Sequence, residues 1–255
     1  MSTASIDPRI RARRIAVRRD EGRRRLRRLV GVIIAAAVVG LAGLATRTPL
    51  LDVDRVVVRG ATHTPSEEIL RATGVARGDP LTDIDLARAR RAVAALPWVA
   101  RATITRQWPG TVQIDVVERE AVAAVPAGTD QWMLVDQTGR GLELVGQLPA
   151  GMVALAGLPP IAAVGASADP AAADALVVAE QLPADLAAQV ASIGLAEGGG
   201  LELTLAAGGV VRFGPPTDVA AKLLALRTVL ETVDLESLAT LDLRVPSVPV
   251  LTRVD

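Results

Sequence analysis

Cysteine is absent, and histidine and lysine occur once each, at His63 and Lys222. Without cysteine the chain has no disulfide framework and no thiolate metal site. A lone histidine leaves no imidazole pair for zinc and no serine–histidine relay away from position 63. The other chemical candidates have plainer readings. Asp83 and Asp85 fall at the start of an expected helix, where carboxylates cap the backbone and meet its dipole. Glu118 and Glu120 flank Arg119 at a strand end and read as a solvated rim. Gly198-Gly199-Gly200 is not followed by Lys-Ser/Thr, so it is a turn and not a phosphate cradle. Trp98, Trp108 and Trp132 are too scattered to stack nucleic-acid bases and read as core or interface anchors. The expectation is a binding protein, not an enzyme, with no catalytic residue, metal or cofactor.

Charge is strongly polarised. Residues 1–28 hold eleven arginines against Asp7, Asp20 and Glu21, so the tail carries a charge of +8 and the remainder −8. Next to this tail runs Leu29–Thr46, 18 uncharged residues between Arg28 and Arg47. As a helix it would span about 27 Å, close to the hydrocarbon thickness of a bilayer. It has no polar face, and an arginine cluster abuts one end only. Positive charge stays inside. The expected topology is a cytoplasmic tail (1–28), one transmembrane helix (29–46) and extracytoplasmic residues from 47 on. Gly43-Leu44-Ala45 resembles a signal-peptidase site, but the apolar run exceeds the usual signal length, which favours an uncleaved anchor. The basic tail has no interleaved aromatics, so anionic lipid is its expected partner and nucleic acid is not.

Beyond the anchor the expected fold class is α+β. Val53–Arg59 reads as a strand ending at Gly60. Thr64-Pro65-Ser66-Glu67 reads as a capping box opening a helix that stops at Gly74. A second helix is expected over Asp83–Leu96, then strands Val99–Gln107 and Thr111–Arg119 around a Trp108-Pro109-Gly110 turn. The order is βααββ. A mixed β domain with flanking helices follows. Strands are expected at Ala121–Val125, Trp132–Val135, Gly141–Val145, Val190–Gly194, Leu201–Leu205, Val210–Phe213, Leu241–Val245 and Val248–Thr252. Helices are expected over Asp169–Leu182 and from a Thr217 cap to about Val233.

This ordered series resembles the bacterial cell-division proteins FtsQ and DivIB. The resemblance rests on VDRVVVRG (53–60), GVARGDPLTDIDL (74–86), LPWVARATITRQWPGTVQIDVVEREAVA (96–123), LVDQTGR (134–140), KLLAL (222–226) and LDLRVP (241–246). It covers nearly the whole chain apart from the Ala/Gly/Pro-rich stretch 157–170. It implies a polypeptide-transport-associated (POTRA) domain over 51–119 and the family's β domain over 120–255. It also implies a place at the division septum, as a scaffold joining FtsB and FtsL to other division proteins. A POTRA-bearing transport or secretion factor is the alternative; that reading expects a long C-terminal β-barrel.

An edge strand carries unpaired N–H and C=O groups that an incoming peptide can extend. Periodicity alone leaves Leu241–Val245 equally an internal or an edge strand, with Pro246 and Pro249 blunting its end. The resemblance favours the edge, because FtsQ-like proteins receive a strand from FtsB at their last β-domain strands. On that basis Leu241, Asp242, Leu243, Arg244 and Val245 would pair with the partner, Arg244 meeting an acidic segment. Val248 and Val250 would add apolar contacts, and the helix bearing Lys222 and Arg227 would flank the site. In the POTRA segment, either 53–59 or 111–119 would offer an edge to other division proteins.

Overall fold

The computed structural model describes residues 27–40, 51–233 and 238–253. Residues 27–40 form helix α1. Among the described residues no helix is long and apolar enough to cross a membrane. Most of the basic tail and residues 41–46 of the expected span lie outside the described residues.

The chain divides into two compact units: Met1–Val57 with Val75–Leu86 and Ile104–Gln113, and Val58–Gly74 with Ala87–Thr103 and Ile114–Asp255. In the first, the Trp108–Gly110 turn is tied back by Asp54 and Arg55, whose N–H groups both donate to the Gly110 carbonyl. Arg106 donates to the carbonyls of Leu81 and Ile84.

Strand β1 (Arg55–Arg59), helices α2 (Ser66–Thr73) and α3 (Leu86–Ala94), and strands β2 (Val99–Gln107) and β3 (Thr111–Glu118) follow the expected βααββ order. The three strands lie in the order β1-β3-β2. Strand β3 is therefore central, which removes 111–119 as an edge and leaves β1 and β2 on the outside. Its alternation buries Val112, Ile114 and Val116, as period-two patterning requires. Helix α2 ends on Gly74 in the left-handed region (φ 65°), and its N–H donates to the Arg71 carbonyl. The expected capping box is not made: Thr64 Oγ1 is buried without a hydrogen bond, and no side chain caps α2.

The second sheet lies wholly within the second unit. Its strands are β4 (Ala123–Gly128), β5 (Gln131–Val135), β6 (Gly141–Val145), β7 (Ala154–Ala156), β8 (Val190–Leu195), β9 (Leu201–Leu205), β10 (Val210–Gly214), β11 (Leu238–Asp242) and β12 (Val250–Arg253). They are arranged β12-β11-β10-β9-β8-β7-β4-β5-β6. Parallel neighbours need long returns. The β7–β8 return carries a 3-10 turn (Pro170–Ala172), α4 (Ala173–Gln181) and α5 (Ala184–Ala187), and the β10–β11 return carries α6 (Val219–Thr232). Their apolar residues, including Leu176, Leu186, Leu223 and Leu226, join Leu155, Ile193, Leu203, Val211 and Phe213 in one core. The opposite face holds a smaller cluster of Ala124, Leu134 and Leu142 beneath Trp98 and Trp132.

Three expectations change. Strand β11 lies three residues earlier than the expected 241–245. Helix α6 begins after Asp218, whose φ is 52°, and no side chain caps it, so Thr217 is not its cap. Trp108 is 58% exposed and anchors no core.

Candidate functional site

The last two strands form a hairpin. Pro246 and Pro249 interrupt the ladder, the Val248 N–H donates to the Val245 carbonyl, and the chain returns as β12 antiparallel to β11. The residues expected to be the edge are thus internal: β11 lies between β10, which it pairs in parallel, and β12. Leu241 and Leu243 are fully buried. Their side chains cannot meet a partner, because each is packed in the core beneath the sheet. The edge is β12, all four residues of which are exposed.

Cross-strand register shows what this edge cuts off. Leu155, Ile193, Leu203, Val211, Leu241 and Leu251 lie in successive register across six strands and so share one face. The first five are fully buried and the sixth is 38% exposed. A core row thus runs to the margin and stops uncovered. On the opposite face Glu202, Arg212, Asp242 and Val250 form a parallel row, with Val250 56% exposed. Val245 and Val248, at 58% and 65% exposed, widen the apolar margin around the hairpin turn.

Arg244 follows β11, and its side chain lies over Gly214 of β10 and is held by Asp242. Its Nε donates to Asp242 at 3.0 Å and its Nη2 at 2.5 Å. The Arg244 guanidinium is the main reason the Asp242 carboxyl lies below its ordinary range. A groove of about 460 Å³ adjoins it, lined by Glu197, Glu202, Arg212, Gly214 and Arg244 among others.

Lys222 is not a flanking surface residue. It is 1% exposed, its Nζ donates to the Pro215 carbonyl at 2.8 Å, and it lies 5.0 Å from the Phe213 ring centroid. Burial pushes its pKa down, against the pull of Asp218. The spacing Val219, Lys222, Leu223, Leu226, Leu230 already places it on the buried face of α6, a periodicity signal that outweighs the usual exposure of lysine. Arg227 is paired with Asp185 at 2.8 Å, which ties α6 to α5.

Two polar clusters elsewhere in the second unit have structural roles. Glu118, expected on a solvated rim, is 9% exposed at its side chain. Its carboxylate accepts the N–H groups of His63 at 2.9 Å and Thr64 at 2.8 Å, anchoring the approach to α2. Burial pushes the Glu118 carboxyl up, but the N–H donors of His63, Thr64 and Thr62, helped by the His63 ring, bring it down to about 2. The same ring stacks on Trp98, with centroids 4.2 Å apart. The second cluster explains the LVDQTGR turn. Asp136, 3% exposed, accepts Arg119 Nη1 at 2.6 Å together with the Thr138 N–H, the Thr138 hydroxyl and the Arg140 N–H. Arg119 Nε reaches the Val99 carbonyl and Arg140 Nη2 the Ala95 carbonyl. A cleft of about 660 Å³ opens here, bordered by Glu120, Thr138 and Glu180. Among the described residues no group of three or more His, Cys, Asp or Glu is placed to hold a metal ion.

Residues 51–119 match the FtsQ-type POTRA domain, and residues 123–244 match the C-terminal domain of cell division protein FtsQ/DivIB. A cell division protein FtsQ of Mycobacteroides abscessus is 33% identical over 195 residues, covering 76% of this chain and 60% of that protein. The FtsQ of Mycolicibacterium smegmatis is 33% identical over 198 residues, covering 78% of this chain and 57% of that protein. The FtsQ of Streptomyces collinus is 31% identical over 246 residues, covering 91% and 90%. The chain thus spans about 60% of the length of the first two relatives and nearly all of the third.

Proposed function

The chain belongs to the FtsQ/DivIB family of cell-division proteins, and from that premise we propose that it is a non-enzymatic scaffold of the division complex that captures FtsB, and with it FtsL, by strand addition to the outer edge of β12. The observation that carries this reading is the apolar row ending uncovered at Leu251. An added strand would extend that row by one residue and pair the outward N–H and C=O groups of β12. Each backbone bond contributes about 0.5–1.5 kcal/mol net. Covering Leu251 contributes about another 1 kcal/mol. Four residues of edge are a modest site, and Val245, Val248 and Arg244 enlarge it. Side-chain contact belongs to these three with Val250 and Leu251, and not to Leu241, Leu243 or Lys222, while the Asp242 carboxylate is taken by Arg244.

The scaffold is held at the membrane by residues 29–46, with the arginine tail against anionic lipid on the cytoplasmic side and residues 47–255 outside. The uncharged run and the one-sided arginine cluster support that topology. The POTRA segment offers β1 or β2 to other division proteins.

A fluorescent fusion followed through the cell cycle, with depletion of the native copy, tests the reading. Septal signal and blocked septation are expected. Uniform membrane signal with normal septa would contradict it.

A further inference from the structure

Trp108 stands at the tip of the turn between β2 and β3. Among the described residues of the first unit from Leu51 on, it is the only exposed large apolar side chain. Tryptophan is highly buried on average, so a ring left standing in water is costly. The turn that carries it is nonetheless firmly placed. Gly110 is buried, and its carbonyl accepts the N–H groups of both Asp54 and Arg55. A Cβ there would stand 2.5 Å from Asp54 Oδ2 and 2.8 Å from the Asp52 carbonyl oxygen, so only glycine lets the turn press this close. The same 51–54 segment is also held by residues 77–81. The Leu81 N–H donates to the Leu51 carbonyl, the Val53 N–H to the Asp79 carbonyl, and Arg77 Nε to the Asp54 carbonyl.

This segment is where the chain arrives from the expected membrane span. Six residue steps separate Thr46, the last of the uncharged run, from Asp52, and fully extended they reach about 21 Å at most. Asp52 therefore stays within that distance of the membrane surface, and the Trp108 turn is bonded to the residues beside it. A tether this short keeps the turn near the headgroups, where the amphipathic ring of tryptophan is favoured. Charge does not select this position. From Leu51 on, the first unit holds Arg55, Arg77 and Arg106 against Asp52, Asp54, Asp79, Asp83 and Asp85. It has no positive excess to draw it to anionic lipid.

Resting on the reading that residues 29–46 cross the membrane, we propose that Trp108 is an interfacial anchor: its ring lies in the extracytoplasmic headgroup layer of the bilayer that this span crosses. The partner is a phospholipid surface, bound through the ring and not through lipid charge. The first unit is then attached to the membrane twice, by its linker and by the ring, which restricts its tilt against the bilayer.

Trp98, Trp108 and Trp132 are the only tryptophans and tyrosine is absent, so tryptophan emission reports only on residues outside the proposed span. The test uses the full-length chain in phosphatidylcholine vesicles, with lipid brominated near the headgroup as quencher and unbrominated lipid as reference. With one ring of three in the interface, about a quarter of the emission is expected to be quenched, and at least about fivefold less in Trp108→Ala. In a chain that keeps Trp108 alone, through Trp98→Phe and Trp132→Phe, the quenched fraction is expected to rise about threefold. Raising salt to about 0.5 M is expected to leave the quenching unchanged, because the contact is not between charges. The proposal is overturned if the native chain is not quenched, the result expected if a protein and not lipid covers Trp108. Unchanged quenching in either variant overturns it equally, as does its loss in salt. Release of the chain from the vesicles by an alkaline carbonate wash would overturn the spanning reading itself, a distinct outcome.

Discussion

At β6 the chain itself covers the first residue of the sheet's margin, whereas at β12 no described backbone does so. Gly141 exchanges backbone bonds with the 165–166 segment, its N–H donating to the Ala166 carbonyl and its carbonyl accepting the Gly165 N–H. Arg140 bridges Ser167, and the Ala168 N–H reaches the Gly139 carbonyl. The Ala/Gly/Pro-rich stretch thus has a physical use: its small residues allow an irregular chain to lie close against a strand. Charge adds to the protection, because Glu143 lies on the exposed part of β6. The β12 margin instead presents Val250 and Leu251 and carries no acidic residue within the strand. An open edge with an apolar rim invites aggregation unless something pairs with it, so the contrast favours β12 as the site of a partner strand.

Breaking the open edge should have the largest effect. Leu251→Pro removes one ladder N–H and the terminal leucine of the core row while leaving β11 paired to β10. FtsB binding is expected to fall about 10- to 70-fold, with thermal unfolding little changed, because proline is tolerated on edge strands.

Next come changes that weaken the body behind that edge. Lys222→Ala leaves the Pro215 carbonyl without its donor and a void beneath Phe213. Urea unfolding should report a loss of about 2 kcal/mol. Glu118→Gln tests the anchor of the approach to α2 through pH. The folded carboxyl, at about 2, lies below its ordinary 4.5. Its contribution is therefore fully present above pH 4.5 and is lost as pH falls from 4.5 towards 2. Up to about 3 kcal/mol is involved, and in the glutamine variant that part of the acid sensitivity should vanish from pH-dependent melting.

The smallest effect is expected at the covered edge. Leu144→Pro, on β6, should change FtsB binding by less than about twofold in the same titration, since partner pairing does not use that margin. A large loss there would reverse the assignment of the two edges.

Much of the architecture was legible because it is local. The alternation in 111–118 and 201–205, the glycine stop at 74 and the Asp136 turn are written in neighbouring residues. Strand β7 was not, because the three residues Ala154-Leu155-Ala156 are too few to show a period. Edge status was legible only in part. Pro246 and Pro249 announced an interruption, but whether they end a sheet or turn a hairpin depends on where the following residues pair. Glu118 and Lys222 were misread for the same reason. The partners that bury them, His63 and Thr64 for one and Pro215 and Phe213 for the other, are set by the fold and not by adjacent sequence, although the helical spacing of Lys222 held a clue.

Hydrogen–deuterium exchange on the full-length chain, with and without FtsB, tests the β12 assignment most directly. Slowed exchange confined to the peptide bearing residues 250–253 and the adjoining hairpin turn is the expected result. Protection at 141–145, or none in the nine-stranded sheet while FtsB is bound, would contradict it.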